Sequence, residues 1–262
     1  MHRFFVNRKS IIADHVKITG NDAEQIRKVL RIREGEEIAV LDGLGWEYKV
    51  KLTEIKKGHV TGEIIFKDFK SEDTKIKIVL GQGIPKGEKM DFIVQKATEL
   101  GVNEIVPLKL ERCIVKIPPL GGLEKIKRWQ RIAKESSEQS LRRFIPSINP
   151  ICNLKDFCDK YKNTDLKIIF YEGEKKKGLK DLLKGRELPP LAPPYKGGEK
   201  GVVIAIIVGP EGGLSSEEIE IANSYGFISA GLGQRILRTE TVALSALSIM
   251  QFLYGDLGNI SE

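Results

Sequence analysis

The chain has 262 residues, a formal net charge of +7 and a pI near 9.1, with 41% hydrophobic and 30% charged residues. This length suits two ordinary domains, and the basic balance favours a polyanionic partner. No apolar run of about 18 residues could span a bilayer, and the amino terminus lacks the apolar stretch of a signal peptide. We therefore expect a cytoplasmic protein that does not bind membranes.

The cysteines and histidines are too few and too widely spaced for a metal centre or a disulfide framework. They are Cys113, Cys152, Cys158, His2, His15 and His59. We therefore expect reduced and mainly structural cysteines, no metal ion and no nucleophilic triad.

The amino-terminal part of the chain predicts a small β domain. Alternating apolar patterns predict strands at 3–6, 16–18, 37–41, 47–55 and 59–66, and a helix at 22–32. Hairpin-type residues at 42–45 and 56–58 connect the last three strands. A charged run near 70–74 then separates this region from the rest, so we place the domain boundary between residues 72 and 73.

The second domain begins with a strand, a glycine-rich turn and a helix. The strand is predicted at 75–80, the turn at 81–87, and the helix carries an apolar face from Met90 to Leu100 and ends at Gly101 as a C′ glycine. The turn is similar to a dinucleotide-binding loop, but its glycine spacing is one residue too long and no acidic residue follows at a strand end. This pattern disfavours a nicotinamide cofactor.

The middle of the chain alternates strands and helices. A strand is predicted at 104–108, helices at 123–141 and 154–161, and a buried strand at 166–171. The composition then changes, with four prolines and two glycines between residues 188 and 198. Neither a helix nor a central strand tolerates this density of proline, so we expect 185–201 to be an exposed, flexible insertion.

Two glycine-bearing loops near the carboxyl terminus predict a ligand site. Val-Gly-Pro-Glu-Gly-Gly at 208–213 follows a buried strand at 202–208 and precedes a helix capped by Ser215. Gly-Leu-Gly-Gln-Arg-Ile-Leu-Arg-Thr-Glu-Thr at 231–241 follows a strand at 227–230 and enters a helix that we expect Thr239 to cap. We expect the two strands to be neighbours, because open α/β sheets bind ligands at the carboxyl ends of their strands.

The last predicted helix, 239–254, is apolar over most of its circumference. Its polar residues Ser245, Ser248 and Gln251 form a single stripe. A helix of this kind needs burial on several sides. We therefore expect it to pack partly against a second subunit.

The two glycine loops resemble the carboxyl-terminal signature of the SPOUT class of S-adenosylmethionine-dependent RNA methyltransferases, and above all the small-subunit ribosomal RNA methyltransferase E family. This resemblance implies an α/β trefoil-knot domain at 73–262 and a PUA-like, RNA-binding β-barrel at 1–72. It also implies S-adenosylmethionine as cofactor, a homodimer, and methylation of N3 of a uridine in 16S ribosomal RNA, as free RNA or in the assembled small subunit. The chain departs from the family pattern at Val242, commonly Ala, and at Glu24-Gln25, near which a His pair is frequent.

The resemblance and the chemistry of methyl transfer together suggest three groups of site residues. The expected cofactor-binding residues are Val208, Gly209, Pro210, Gly212, Gly213, Leu232, Gly233, Ile236, Leu237 and Arg238. The catalytic candidates are Arg238, a cation for the developing uracil anion, and Glu240 and Glu211, each as a base or as a group that orients the arginine. The RNA-contact candidates are Arg3, Arg8, Lys28, Arg31, Arg33, Lys86 and Arg112.

Two other functions fit the same residues. A knotted methyltransferase that modifies the ribose 2′-oxygen would use the same cofactor loops. A non-catalytic RNA-binding protein could retain the loops as relics, and it would show no affinity for S-adenosylmethionine.

Overall fold

The computed structural model describes residues 1–70, 76–115, 119–174, 177–184 and 202–258, so the insertion expected at 185–201 lies outside the described residues. The chain divides into two compact units. The first comprises Met1–Asp73 and Ser137–Ile145, and the second comprises Thr74–Ser136 and Pro146–Glu262. Within the described ranges, no helix has both the length and the apolar character needed to cross a membrane.

The first unit contains one six-stranded sheet with the strand order β1-β4-β5-β6-β3-β2. Its strands are β1 (Arg3–Phe5), β2 (Ile11–Ile12), β3 (His15–Thr19), β4 (Glu37–Leu41), β5 (Trp46–Lys56) and β6 (His59–Phe69). β1 and β4 are parallel and the other pairs are antiparallel. The predicted helix at 22–32 is shorter, with α1 at Asn21–Glu24 continuing as a π-helical turn to Val29. Its Ile26 is fully buried in the core of this unit.

A segment distant in sequence completes the first unit. The guanidinium of Arg143 lies 3.1 Å from Glu47 Oε2 and 2.6 Å from Asp68 Oδ2. The Glu138 carboxylate accepts a hydrogen bond of 3.0 Å from the Phe5 backbone N–H. The end of the long helix and the loop after it are therefore part of this unit, which the predicted strands at 1–72 did not indicate.

The second unit contains a six-stranded, entirely parallel sheet with the order β12-β10-β11-β7-β8-β9. The strands are β7 (Lys77–Gly83), β8 (Glu104–Leu108), β9 (Ser147–Ile148), β10 (Leu166–Phe170), β11 (Val203–Val208) and β12 (Ile228–Ala230). The helices are α2 (Lys89–Glu99), α3 (Pro119–Gln139), α4 (Leu154–Lys160), α5 (Leu179–Leu183), α6 (Ser216–Ser224) and α7 (Thr239–Tyr254). All six carboxyl ends meet at one edge of the sheet.

The predicted helix boundaries hold where a local signal defines them. Ser215 caps α6, because its hydroxyl accepts from the Glu218 N–H while Glu218 accepts from the Ser215 N–H, which completes a capping box. Gly101 follows α2 with φ +81°, as expected of a C′ glycine. α3 begins four residues earlier than predicted.

We predicted that the glycines at 81 and 83 lie in a turn. In the structure they form the carboxyl end of β7 instead. A Cβ on Gly81 would lie 2.8 Å from the Phe157 ring, and one on Gly83 would lie 2.7 Å from the backbone nitrogen of Pro210. These glycines let α4 and the loop after β11 pack closely against β7.

Candidate functional site

A cleft of about 560 Å³ opens at the carboxyl edge of the parallel sheet. Three chain segments line most of it: 170–174 after β10, 208–214 after β11, and 230–239 between β12 and α7. Lys89 from α2 and Val242 from α7 complete the lining. The volume suits a small-molecule ligand.

We predicted that the two glycine loops follow neighbouring strands, and this prediction is wrong. β10 pairs with β11 on one side and with β12 on the other, so it lies between them. The segment after β10 therefore contributes Glu172 and Glu174 to the cleft, and sequence reasoning missed both. Strand order in a parallel sheet depends on crossovers, and chain order does not reveal which strand inserts between two others.

Glycine is required at several points of the cleft for steric reasons. A Cβ on Gly209 would lie 3.1 Å from the carbonyl carbon of Gly213, and one on Gly231 would lie 2.8 Å from the carbonyl oxygen of Glu174. Gly213 and Gly233 have φ values of +72° and +107°, which L side chains rarely adopt. The loops therefore present bare backbone to the cleft.

A buried hydrogen-bond chain fixes the start of α7 against the loop after β11. The Gln82 side-chain amide donates to Thr239 Oγ1 at 2.9 Å, and the Thr239 hydroxyl donates to the Gly209 carbonyl at 2.6 Å. We predicted that Thr239 caps α7, but Arg238 occupies the N-cap position and the threonine hydroxyl serves this cross-link instead. β7, the loop and α7 are thereby held together.

Nine of the ten expected cofactor-binding residues line the cleft. The tenth, Gly212, instead faces Arg112, whose guanidinium donates to the Gly212 carbonyl at 3.1 Å. A Cβ on Gly212 would lie 3.0 Å from the Arg112 Cβ. We expected Arg112 to contact RNA. In the structure it supports the loop after β11, and it is also exposed to solvent.

The three catalytic candidates have different surroundings. Arg238 lines the cleft, and its side chain forms no ion pair with any residue that the structure describes. Glu211 also lines the cleft. Burial raises the pKa of its carboxyl, but hydrogen bonds from Lys89 and from the Lys86 backbone outweigh this effect, so the pKa lies below its usual range. Glu240 is not among the lining residues, and its Oε2 is buried without a hydrogen bond in the described part of the chain.

Sequence reasoning missed Lys89. Its Nζ lies 2.8 Å from Glu211 Oε1 and 4.0 Å from Glu240 Oε2. One signal could have drawn attention to it, since a lysine as the first residue of a helix opposes the helix dipole. Nothing in the sequence shows that α2 starts beside the loop after β11.

The remaining RNA-contact candidates fall into two groups. Arg8, Arg31 and Arg33 in the first unit and Lys86 in the second are exposed. Two others are engaged within the first unit: Lys28 pairs with Glu24, and Arg3 donates to Glu47 at 2.9 Å with only 13% of its side chain exposed. Among the described residues no cluster of three or more His, Cys, Asp or Glu could hold a metal ion.

Comparisons with known families agree with this geometry. Residues 72–251 match the family described as an RNA methyltransferase domain, and residues 18–65 match an RNA methyltransferase PUA domain. The chain is 32% identical over 255 residues to ribosomal RNA small subunit methyltransferase E of Bacillus subtilis, covering 96% of each protein. It is 34% identical to the protein of that name from Mesomycoplasma hyopneumoniae, covering 95% of this chain and 98% of the relative.

Solved structures show the same fold over nearly the full length. Ribosomal RNA small subunit methyltransferase E of Neisseria gonorrhoeae, bound to S-adenosyl methionine, superimposes with a TM-score of 0.82 at 34% identity, covering 98% of this chain and 99% of that one. A chain from Legionella pneumophila, in complex with the bound cofactor SAM, gives a TM-score of 0.83 at 32% identity, covering 97% and 98%. The second unit thus has the α/β-knot fold, and the first has the PUA-like β-barrel fold.

Proposed function

Because the chain belongs to the ribosomal RNA small subunit methyltransferase E family, we propose that it transfers a methyl group from S-adenosylmethionine to N3 of a uridine in 16S ribosomal RNA. The observation that carries the proposal is the cleft at the carboxyl edge of the sheet, lined by bare glycine backbone. Residues 73–262 would perform the transfer and residues 1–72 would bind RNA. We also propose a cytoplasmic location, because the proposed substrate is ribosomal RNA.

The lining residues fit this cofactor. Gly209, Gly213 and Gly233 present backbone without a side chain to the cleft. A Cβ on Gly209 would lie 3.1 Å from the Gly213 carbonyl carbon, and the other two glycines have positive φ. Leu232 and Leu237 provide apolar walls suited to an adenine ring. When bound, the sulfonium supplies an electrophilic methyl group, so the protein's main task is to position the acceptor.

The acceptor nitrogen must lose a proton before it can form the new bond. We assign Arg238 to a uracil oxygen, where its cation stabilises the charge that develops as the N3 proton leaves. Glu211 is poorly suited to accept this proton, because its carboxyl is hydrogen-bonded and its pKa is lowered. Glu240 does not line the cleft, so neither glutamate is assigned as the base and the N3 proton would leave to solvent. Bound S-adenosylmethionine would supply the methyl group that N3 receives.

The RNA must present an unpaired or extruded base, since pairing hides N3. We assign backbone contacts to the exposed cations Arg8, Arg31, Arg33 and Lys86. Lys28 and Arg112 are secondary contacts, because each has a protein partner. Arg3 supports the first unit from inside.

We also propose a homodimer. The end of α7 and the residues after it expose Phe252 by 65%, Leu253 by 49% and Leu257 by 43%. Adjacent apolar side chains on one helix end are typical of an interface. Light scattering coupled to size exclusion would give twice the 29.3 kDa chain mass, and Phe252→Asp would give a monomer; a monomeric wild-type protein would exclude the dimer.

The test of the proposed function is the identity of the modified nucleoside. Small ribosomal subunits that lack the modification are incubated with the protein and S-adenosylmethionine, and the digested RNA is analysed by mass spectrometry. We expect 3-methyluridine from the 16S RNA. A 2′-O-methylated nucleoside would indicate ribose chemistry, and the absence of any methylated product would favour a binding protein.

A further inference from the structure

Two carboxylates from different segments hold the ammonium of Lys89 at the cleft. Its Nζ lies 2.8 Å from Glu211 Oε1 in the loop after β11 and 4.0 Å from Glu240 Oε2 in the first turn of α7. Glu211 is fixed in turn, because the Lys86 backbone N–H donates to its two oxygens at 3.1 and 3.3 Å. The lysine is therefore placed by the same loop that lines the cleft.

Folding stability does not account for a lysine at this position. A cation at a helix N-terminus is unfavourable, and an ion pair as exposed as that of Lys89 with Glu211 adds little stability. Lys96 in the last turn of the same helix offers a comparison, since it pairs with Glu99 at 2.8 Å and both pairs have side-chain exposures of 37% and 27%. The dipole of α2 favours a cation at Lys96 and disfavours one at Lys89. Of these two lysines, only Lys89 lines the cleft.

The charges around Lys89 restrict what it can bind. The charged side chains that line the cleft are Lys89, Arg235, Arg238, Glu172, Glu174 and Glu211. Glu211 and Glu240 already balance the ammonium, and they would repel the carboxylate of the cofactor's methionine part. A neutral carbonyl oxygen that becomes negative only during the reaction meets far less repulsion on binding, and uracil has such an oxygen on each side of N3.

We infer that Lys89 is a further catalytic residue, whose ammonium donates a hydrogen bond to one uracil carbonyl oxygen while Arg238 serves the other, and that Glu211 and Glu240 position it. This inference rests on the proposed function and adds the recognition of the base. Two donors on the oxygens beside N3 favour uracil over cytosine, which carries an amino group in place of one oxygen. They also stabilise the anion formed when N3 loses its proton.

The test replaces single oxygen atoms of the target. Small subunits are assembled with 16S RNA carrying uridine, 2-thiouridine or 4-thiouridine at the modified position, and single-turnover methyl transfer is measured for the wild type and for Lys89→Ala. Sulfur is a weak hydrogen-bond acceptor. Its own effect on N3 acidity is common to both proteins and cancels in the comparison. Comparing substrates within one variant also cancels any loss of folded protein.

We expect Lys89→Ala to transfer methyl groups to uridine at least about tenfold more slowly than the wild type, as for loss of one charge-assisted hydrogen bond. For one of the two thio-substrates this difference should disappear, and for the other it should persist. Lys89→Arg should recover part of the rate, and the matched control Lys96→Ala should match the wild type on all three substrates.

Two results would overturn the inference. One is an equal effect of Lys89→Ala on all three substrates, and the other is a loss of affinity for S-adenosylmethionine that accounts for the whole rate decrease. Lys89→Met combined with Glu240→Gln removes the ammonium together with the more buried of its two carboxylates, while Glu211 keeps its hydrogen bonds from the Lys86 N–H. This double variant guards against unfolding caused by an unbalanced buried carboxylate. A wild-type protein that methylates no uridine would instead refute the proposed function itself.

Discussion

The two edges of the parallel sheet hold charged side chains in different surroundings. At the amino edge, Glu104 Oε2 accepts from the Tyr161 hydroxyl at 2.7 Å and from the Asn149 amide at 3.0 Å, while Oε1 lies 2.6 Å from Lys77 Nζ. At the carboxyl edge, a buried oxygen of Glu240 has no hydrogen bond in the described structure. The network around Glu104 stabilises the fold, whereas the carboxyl edge also leaves Arg238 in the cleft without an ion pair from a described residue.

The largest expected effect follows from Arg238→Ala at the carboxyl edge. Methyl transfer should fall by about 10²–10³-fold, because a preorganised donor to a developing anion is lost. The melting temperature should stay close to that of the wild type, since Arg238 forms no ion pair with the described residues. Unchanged transfer by a folded variant would remove this arginine from the chemistry.

Glu104→Gln tests the amino edge and should give the reverse pattern. The substitution weakens a charged hydrogen-bond network, so we expect a loss of about 1–3 kcal/mol in the free energy of unfolding, measured in urea. The affinity for S-adenosylmethionine should not change. A variant with wild-type stability and weakened cofactor binding would contradict the division between the edges.

Gly213→Ala sharpens the comparison within the cleft. Its φ of +72° makes a Cβ costly by about 1–2 kcal/mol, and this Cβ would lie 3.0 Å from Glu172 Oε1. If the loop relaxes to relieve the strain, affinity for S-adenosylmethionine should fall about tenfold in a calorimetric titration. Equal affinity would mean that the cofactor does not depend on this loop conformation.

The pH dependence of stability provides the smallest expected effect. Burial raises the pKa of Glu104, but hydrogen bonds from Lys77, Tyr161 and Asn149 outweigh it and lower the pKa from the usual 4.5 to about 2. The carboxylate therefore stabilises the fold above about pH 4.5, and this contribution is lost as the pH falls towards 2. Melting temperatures measured across this range should decline less steeply for Glu104→Gln than for the wild type. Parallel curves would contradict the lowered pKa.

Local signals in the sequence predicted the parts of this site that depend on local conformation. The two glycine loops and the Ser215 cap are such parts, because a turn or a helix start needs particular residues at fixed spacing. The insertion of β10 between the two loop-bearing strands, and the arrival of Lys89 beside Glu211, depend on crossovers between distant segments. No spacing in the sequence encodes these contacts.

Calorimetric titration of the intact protein with S-adenosylmethionine tests the central claim most directly, because that claim is that the carboxyl-edge cleft binds this cofactor. We predict saturable binding at one site per chain, weakened by Gly213→Ala and unaffected by Glu104→Gln. No saturable binding, or equal binding by all three proteins, would contradict the account.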